Sequence, residues 1–176
     1  MNRITKIAFS IAGFSFLLTG VAAAQTEHSA NRMGTDSTFI TKAAHGGMAE
    51  VELGRVAQSR ASSQKVKDFG QRMIDDHSKA NDELSKIAGK QGVTVPTGMS
   101  ASDQATKDKL SALSGHEFDV AYMQDMVKDH REDISEFQKE ANSGRDSDVK
   151  AFASQTLPTL REHLRLAEQT LAEIKK

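Results

Sequence analysis

Two histidines with matching neighbours stand out in the 176-residue sequence. The segments MIDDH (73–77) and MVKDH (126–130) each place a Met four residues before a His and an Asp directly before it. In both segments the His lies in an apolar helical row, where a Leu would be usual. Imidazole and carboxylate groups together suit zinc, iron, manganese or copper. The spacing therefore marks a candidate transition-metal site that includes His77 and His130.

Two carboxylates complete the candidate set. Glu50 precedes a predicted turn near residue 62 by about as many residues as His77 follows it, which places both at one height in an antiparallel helix pair. Asp129 stands next to His130, and an alignment of Phe39 with Phe118 sets it opposite Glu50. The predicted metal ligands are therefore Glu50, His77, Asp129 and His130.

The same residues have a purely structural interpretation. A buried Glu beside a His can be a paired polar contact, and Asp129 can point to solvent. Di-iron bundles carry Glu-x-x-His on two helices, but Ile74 and Leu160 stand three residues before His77 and His163. No bridging carboxylate is present there, so the sequence favours a structural polar cluster and leaves the metal site as the alternative.

Apolar periodicity predicts four long helices and no strand. They cover about 36–61, 64–88, 114–142 and 146–176, with Asp36 or Ser37 as the first cap and a Ser114/Glu117 capping box at the third. The first and third connections are short, whereas about 25 residues, with a short helix near 103–113, link the second long helix to the third. The fold class is therefore all-α, a ferritin-like four-helix bundle with one long crossover. An internal repeat agrees, since VKDF (66–69) matches VKAF (149–152).

The N-terminus has the pattern of a secretory signal peptide. Arg3 and Lys6 precede an apolar run, and the alanines at 22–24 predict cleavage before Gln25. An uncleaved membrane anchor is the alternative, but the run is short for a membrane span. The predicted organisation is a signal peptide at 1–24, a flexible tether at 25–35 and a helical bundle at 36–176. The predicted export indicates a periplasmic protein, with an outer-membrane-associated or secreted location as the alternatives.

Composition restricts the function classes. With 0 Cys, the chain has neither disulfides nor thiolate chemistry. Loss of Arg3 and Lys6 with the leader leaves 21 basic against 24 acidic residues, a formal charge of −3, which gives no argument for nucleic acid or an anionic membrane surface. No nucleophile–base pair or phosphate loop is evident. The sequence therefore favours a non-enzymatic envelope or stress-related binding protein with an unidentified protein or envelope partner. A metal-binding or metal-dependent redox protein is the alternative.

The chain resembles a family of exported bacterial proteins, domain of unknown function 4142. The likeness rests on Phe39, Glu50 and Gly54 in the first helix, on the two Asp-His pairs, and on Tyr122, Phe137 and Ala141 in the third long helix. It covers about 38–174, nearly all of the predicted mature chain. The resemblance implies a ferritin-like four-helix fold and a periplasmic or outer-membrane-associated setting, and it implies no particular activity.

Overall fold

The computed structural model describes the backbone of residues 20–176 and the side chains from residue 34 onward. Five helices and no strand occur in this part of the chain, which confirms the all-α prediction. Their bounds are α1 Gly20–Arg60, α2 Gln64–Lys90, α3 Ala101–Ser111, α4 Gly115–Ser143 and α5 Ser147–Ile174. None of these helices combines the length and the apolar character that a membrane crossing requires.

Contacts between the helices establish the topology. α1 pairs with α2 and α4 pairs with α5, each across a short turn. α1 runs antiparallel to α4, because Phe39 packs on Phe137 at one end and Ser62 bonds to Asp119 at the other. The connection from α2 to α4 must therefore return along the whole bundle. The predicted four-helix bundle, with one long crossover that carries a short helix, is confirmed.

The first helix begins earlier than predicted. α1 starts at Gly20 rather than near Asp36, so the stretch 25–35, predicted as a flexible tether, is helical. This prediction was wrong. Asp36 lies inside α1 and is not its N-cap. Its carboxylate instead accepts hydrogen bonds from the backbone N–H groups of Arg145 (3.1 Å) and Asp146 (2.8 Å) at the start of α5. The signal-peptide boundary remains a prediction, since residues 1–19 lie outside the described part of the chain.

Two buried aspartates hold the two hairpin turns. Asp119 of α4 accepts from the backbone N–H groups of Ser62 (3.1 Å) and Ser63 (2.9 Å) and from the Ser62 hydroxyl. Asp36 of α1 does the same for the turn between α4 and α5. The two aspartates are 83 positions apart, as are Val66 and Val149 of the predicted repeat. Each hairpin therefore uses a carboxylate from the other to satisfy its turn.

The predicted capping box lies at a different helix. Ser114 precedes α4 but its side chain caps no backbone N–H group. The reciprocal bonds of a capping box occur instead at the start of α3, between Ser100 and Asp103. A Ser with an acid three residues on occurs at both places in the sequence, so spacing alone did not distinguish them.

Glycines allow α1 and α2 to approach closely in the half of the hairpin near their turn. A Cβ atom at Gly54 would lie 2.6 Å from the backbone oxygen of Gly70, and one at Gly70 would lie 2.8 Å from the Cβ of Ala57. Only glycine fits at that crossing. This close approach draws α2 against α1 and fixes the depth at which Glu50 and His77 enter the interior.

Candidate functional site

The apolar core is divided by a polar layer at mid-bundle. One apolar cluster, with Phe39, Phe137 and Phe152, fills the end near the crossover start, and another, with Phe69 and Tyr122, fills the opposite end. Between them, each long helix contributes one buried polar side chain. These are Glu50 from α1, His77 from α2, His130 from α4 and His163 from α5. Buried polar groups cost stability unless they are satisfied, so this layer requires a specific explanation.

Three of the four side chains form a compact group of imidazoles. The ring centroids of His77, His130 and His163 lie 5.3–5.8 Å apart. One nitrogen of each ring lies within 4.8 Å of one nitrogen of each other ring. The closest pair is His130 Nε2 and His163 Nδ1, at 3.3 Å. A tetrahedral ion with bonds of about 2.05 Å separates two ligand nitrogens by about 3.3 Å.

Outer partners orient two of the rings. His130 Nδ1 lies 3.0 Å from the backbone oxygen of Met126, so this nitrogen carries the proton and donates it. His163 Nε2 lies 2.9 Å from Oδ2 of Asp76 and donates to that carboxylate. In the neutral tautomers that these bonds select, His130 Nε2 and His163 Nδ1 both present lone pairs. A metal-bound histidine usually has such a partner on its other nitrogen.

Burial keeps the three imidazoles neutral. It lowers the pKa of His77 well below the ordinary value, and the neighbouring rings of His130 and His163 act in the same direction. Burial, with the proximity of His163, lowers the pKa of His130 to about 4. Burial also lowers the pKa of His163, although its bond to Asp76 opposes the change. Neutral imidazole is the form that binds a metal ion.

A group of carboxylates lies on the other side of the His130 ring. Glu50 Oε1 is 3.6 Å from His130 Nδ1, and oxygens of Glu50 and Asp129 lie within 4.8 Å of that ring and of each other. Neither Glu50 oxygen has a hydrogen-bond partner among the described residues. Burial raises the pKa of Glu50 well above its ordinary value, and the charge of Asp129 adds to the rise.

The imidazole group is reachable from one side. A cavity of about 210 Å³ lies between α2 and α5 and is lined by His77 and His163 together with Asp76, Thr156 and Thr159. Asp76 is 27% exposed there. On the opposite side α3 packs on α1 and α4, and there Asp129 is partly exposed whereas His130 is buried. An ion would therefore approach the imidazoles along the groove between α2 and α5.

The structure brings all four predicted ligands into one layer, but in two subsets. His77 and His130 belong to the imidazole group, whereas Glu50 and Asp129 lie beside the other face of the layer. The structural interpretation in which Glu50 and His77 form a hydrogen-bonded pair is wrong, because neither Glu50 oxygen nor His77 Nε2 has a hydrogen-bond partner in the described part of the chain.

The prediction missed His163 as a central member of the layer. Two signals were available in the sequence: His163 lies in the inner row of α5, and counting from Gly144 places it within a turn of His130. His163 lacks the preceding Asp and the Met four residues earlier that distinguish His77 and His130. Asp76 was missed as its partner, since a position beside an inner row usually faces solvent.

Comparison with solved structures identifies proteins of the same fold. The chain is similar to a DUF305 fragment from Deinococcus radiodurans, with 14% identity and a TM-score of 0.70 over 79% of this chain and 96% of that one. It is also similar to a putative secreted DUF305 protein from Streptomyces coelicolor, with 16% identity and a TM-score of 0.70 over 80% and 92%. A conserved hypothetical protein from Mycobacterium tuberculosis gives 14% identity and a TM-score of 0.59 over 80% and 93%.

No curated protein matches the sequence. At these identities the solved structures show a common fold and carry nothing about activity. The pattern that defines domain of unknown function DUF4142 matches residues 21–170, nearly all of the chain that the structure describes. That match includes the polar layer, the crossover and the two aspartates that hold the hairpin turns, Asp36 and Asp119, which we call the aspartate clamps. The chain belongs to the DUF4142 family.

Proposed function

We propose that this protein is an exported helical-bundle protein that binds one transition-metal ion through His77, His130 and His163. The observation that carries the proposal is the pair of opposed nitrogens, His130 Nε2 and His163 Nδ1, at 3.3 Å. With both rings neutral and both outer nitrogens donating, two lone pairs face each other. A cation between them turns this repulsion into coordination.

A structural polar cluster accounts less well for the same contacts. A hydrogen bond between the two rings, if both are neutral, requires one of them to move its proton inward and lose its bond to Met126 or Asp76. His77 Nε2 would also remain buried without a partner. An unsatisfied buried nitrogen costs about 1–3 kcal/mol. An ion held by all three rings removes both costs.

The ligand type indicates the class of metal. Imidazole suits zinc, copper, iron and nickel, and the chain has no thiolate to select softer ions. Three nitrogens leave a tetrahedral ion one further position. The cavity beside His77 and His163 is where a water molecule or an external donor would occupy that position.

Export is the second part of the proposal. Arg3, Lys6, the following apolar run and the alanines at 22–24 support a signal peptide that is removed before Gln25. One protein of the same fold is described as a putative secreted protein. We therefore assign the metal site to the periplasm, where an envelope partner could receive or deliver the ion.

Cobalt titration tests the metal site directly. Protein purified from the periplasm without an affinity tag is treated with chelator and titrated with Co²⁺, whose visible absorption reports four-coordinate geometry. We expect one ion per chain, at least tenfold weaker binding in His163→Ala, and no change in the exposed control His116→Ala. Absence of the absorption band in the wild type, or equal loss in both variants, would refute the imidazole site.

A further inference from the structure

We propose a second cation site, held by the carboxylates of Glu50 and Asp129, for a hard divalent ion such as Mn²⁺. It lies on the Nδ1 side of the His130 ring, whereas the imidazole group lies on the Nε2 side. The two sites share a neighbour but no ligand, because His130 Nδ1 donates to the backbone oxygen of Met126. The second site therefore does not rest on the proposed imidazole site.

Glu50 is the main observation. Its side chain is 1% exposed, and both of its oxygens lack a hydrogen-bond partner among the residues with described side chains. A buried carboxylate is normally paired, hydrogen-bonded or bound to a metal. Among the His, Asp and Glu side chains that the structure describes, Asp129, which is also an acid, and the already bonded His130 lie within 4.8 Å of it. A cation beside Asp129 would supply the partner that Glu50 lacks.

Further acids surround this place without neutralisation. Asp125 and Asp133 lie one helical turn before and after Asp129, on the same face of α4. No Lys or Arg among the residues with described side chains forms an ion pair with these three aspartates or with Glu50. The nearby Lys128 pairs with Glu132 and Lys107 with Glu52. A divalent cation would relieve the mutual repulsion of these clustered acids.

The seam between α1, α3 and α4 provides a separate approach. Asp129 is partly exposed, and α3 packs over the two helices that carry the acids. An ion would enter beside Asp129 and reach Glu50 from there. This route is on the opposite side of the bundle from the cavity next to His77 and His163.

Oxygen ligands determine the kind of ion. Carboxylate and water oxygens suit Mg²⁺, Mn²⁺ and Ca²⁺, and such ions are often held by one or two carboxylates with water in the remaining positions. Imidazole nitrogens instead favour the later transition metals. Two adjacent sites with different ligand chemistry can therefore be distinguished by the metal used as the probe.

The test is a titration of the chelator-treated, full exported chain with Mn²⁺, followed by the electron paramagnetic resonance signal of free Mn²⁺. We expect one bound Mn²⁺ per chain and at least tenfold weaker binding in Glu50→Gln and in Asp129→Asn. Glu140→Gln is the matched control, since Glu140 is also buried with an unpartnered oxygen but lies near Asp36 at one end of the bundle. Far-ultraviolet circular dichroism verifies that each variant is folded.

The outcomes separate this site from the imidazole site. His163→Ala should retain Mn²⁺ binding, and Glu50→Gln should retain the Co²⁺ band, if both proposals hold. A wild type that binds no Mn²⁺, a Glu50→Gln variant that binds it normally, or equal weakening in Glu140→Gln overturns the second site. Loss of Mn²⁺ in His163→Ala also overturns it, because the ion would then occupy the imidazole site.

Discussion

Asp119 and Glu50 are two equally buried acids, each 1% exposed, in opposite situations. Asp119 accepts two backbone N–H groups and one hydroxyl at the turn between α1 and α2. Among the residues with described side chains, no N–H group or hydroxyl donates a hydrogen bond to Glu50. Burial alone therefore does not define the role of a carboxylate. The first stabilises the fold by completing a turn, whereas the second costs stability unless something outside the chain satisfies it.

The internal repeat also distinguishes the aspartates that hold the turns from the side chains of the polar layer. Its offset of 83 residues relates Asp119 to Asp36, and both clamp a hairpin turn. The same offset pairs His130 with Gly47 and His77 with Leu160, so the imidazoles have no counterpart in the other half. The aspartates that hold the turns are therefore repeated, whereas the three imidazoles lie where the two halves differ.

The largest expected change in the free energy of unfolding comes from removing one aspartate clamp. Asp119→Ala removes the acceptor for three donors and should lower the free energy of unfolding by about 3 kcal/mol. Asp119→Asn, which keeps one acceptor oxygen, should lose less. Urea denaturation at pH 7 measures both. An Asp119→Ala variant as stable as the wild type would show that the clamp contributes nothing.

Metal should stabilise the polar layer and leave the clamps unaffected. At a Zn²⁺ concentration of 100 times the Kd, linkage predicts a stabilisation of about 2.7 kcal/mol. For a chain of this length, that raises the Tm by on the order of 5–10 °C. Calorimetry should show the rise in the wild type and in Asp119→Asn. A rise of equal size in His163→Ala would place the ion elsewhere.

Glu50→Gln should change stability little, in contrast to Asp119→Ala. The amide buries no charge and can donate to Asp129, so we expect a change within about 1 kcal/mol, in the stabilising direction. Urea denaturation of the chelator-treated protein is the measurement. A loss as large as that of Asp119→Ala would mean that Glu50 has an internal partner after all.

A pH dependence of the free energy of unfolding is expected at the Asp36 clamp. Burial, and then the charge of Asp36, raises the pKa of Glu140 to about 7. A raised acid pKa contributes stability that is present below the unfolded value near 4.5 and lost as the pH rises through about 7. Glu140→Gln should therefore gain stability relative to the wild type between pH 5 and pH 8. A constant difference over that range contradicts the assignment.

Helical periodicity and connection lengths were sufficient to predict the fold. Four apolar rows and one long connection leave few arrangements of the helices. The crossover followed from the length of the connection between the second and third long helices. Counting residues from each predicted turn likewise placed Glu50, His77 and His130 at one height in the bundle. Helix positions, connection lengths and the height of a residue along the bundle depend on backbone geometry, which the sequence pattern encodes directly.

The partners of individual side chains were not predictable in the same way. Asp36 looked like the cap of its own helix but satisfies a turn about 110 residues later. His163 and Asp76 lie 87 positions apart and meet only after α2 and α5 pack. Long-range polar contacts depend on rotations of a few tens of degrees between helices, and local spacing carries no information about those rotations.

The most direct test of the central claim is X-ray absorption at the zinc edge, on exported protein loaded with one equivalent of Zn²⁺. The account predicts about three imidazole nitrogens at about 2.0 Å, with one oxygen or nitrogen donor from water or an external ligand in the remaining position. It also predicts a reduced imidazole contribution in His163→Ala and an unchanged spectrum in His116→Ala. A first shell of oxygen alone, or a spectrum that changes only in His116→Ala, would contradict it.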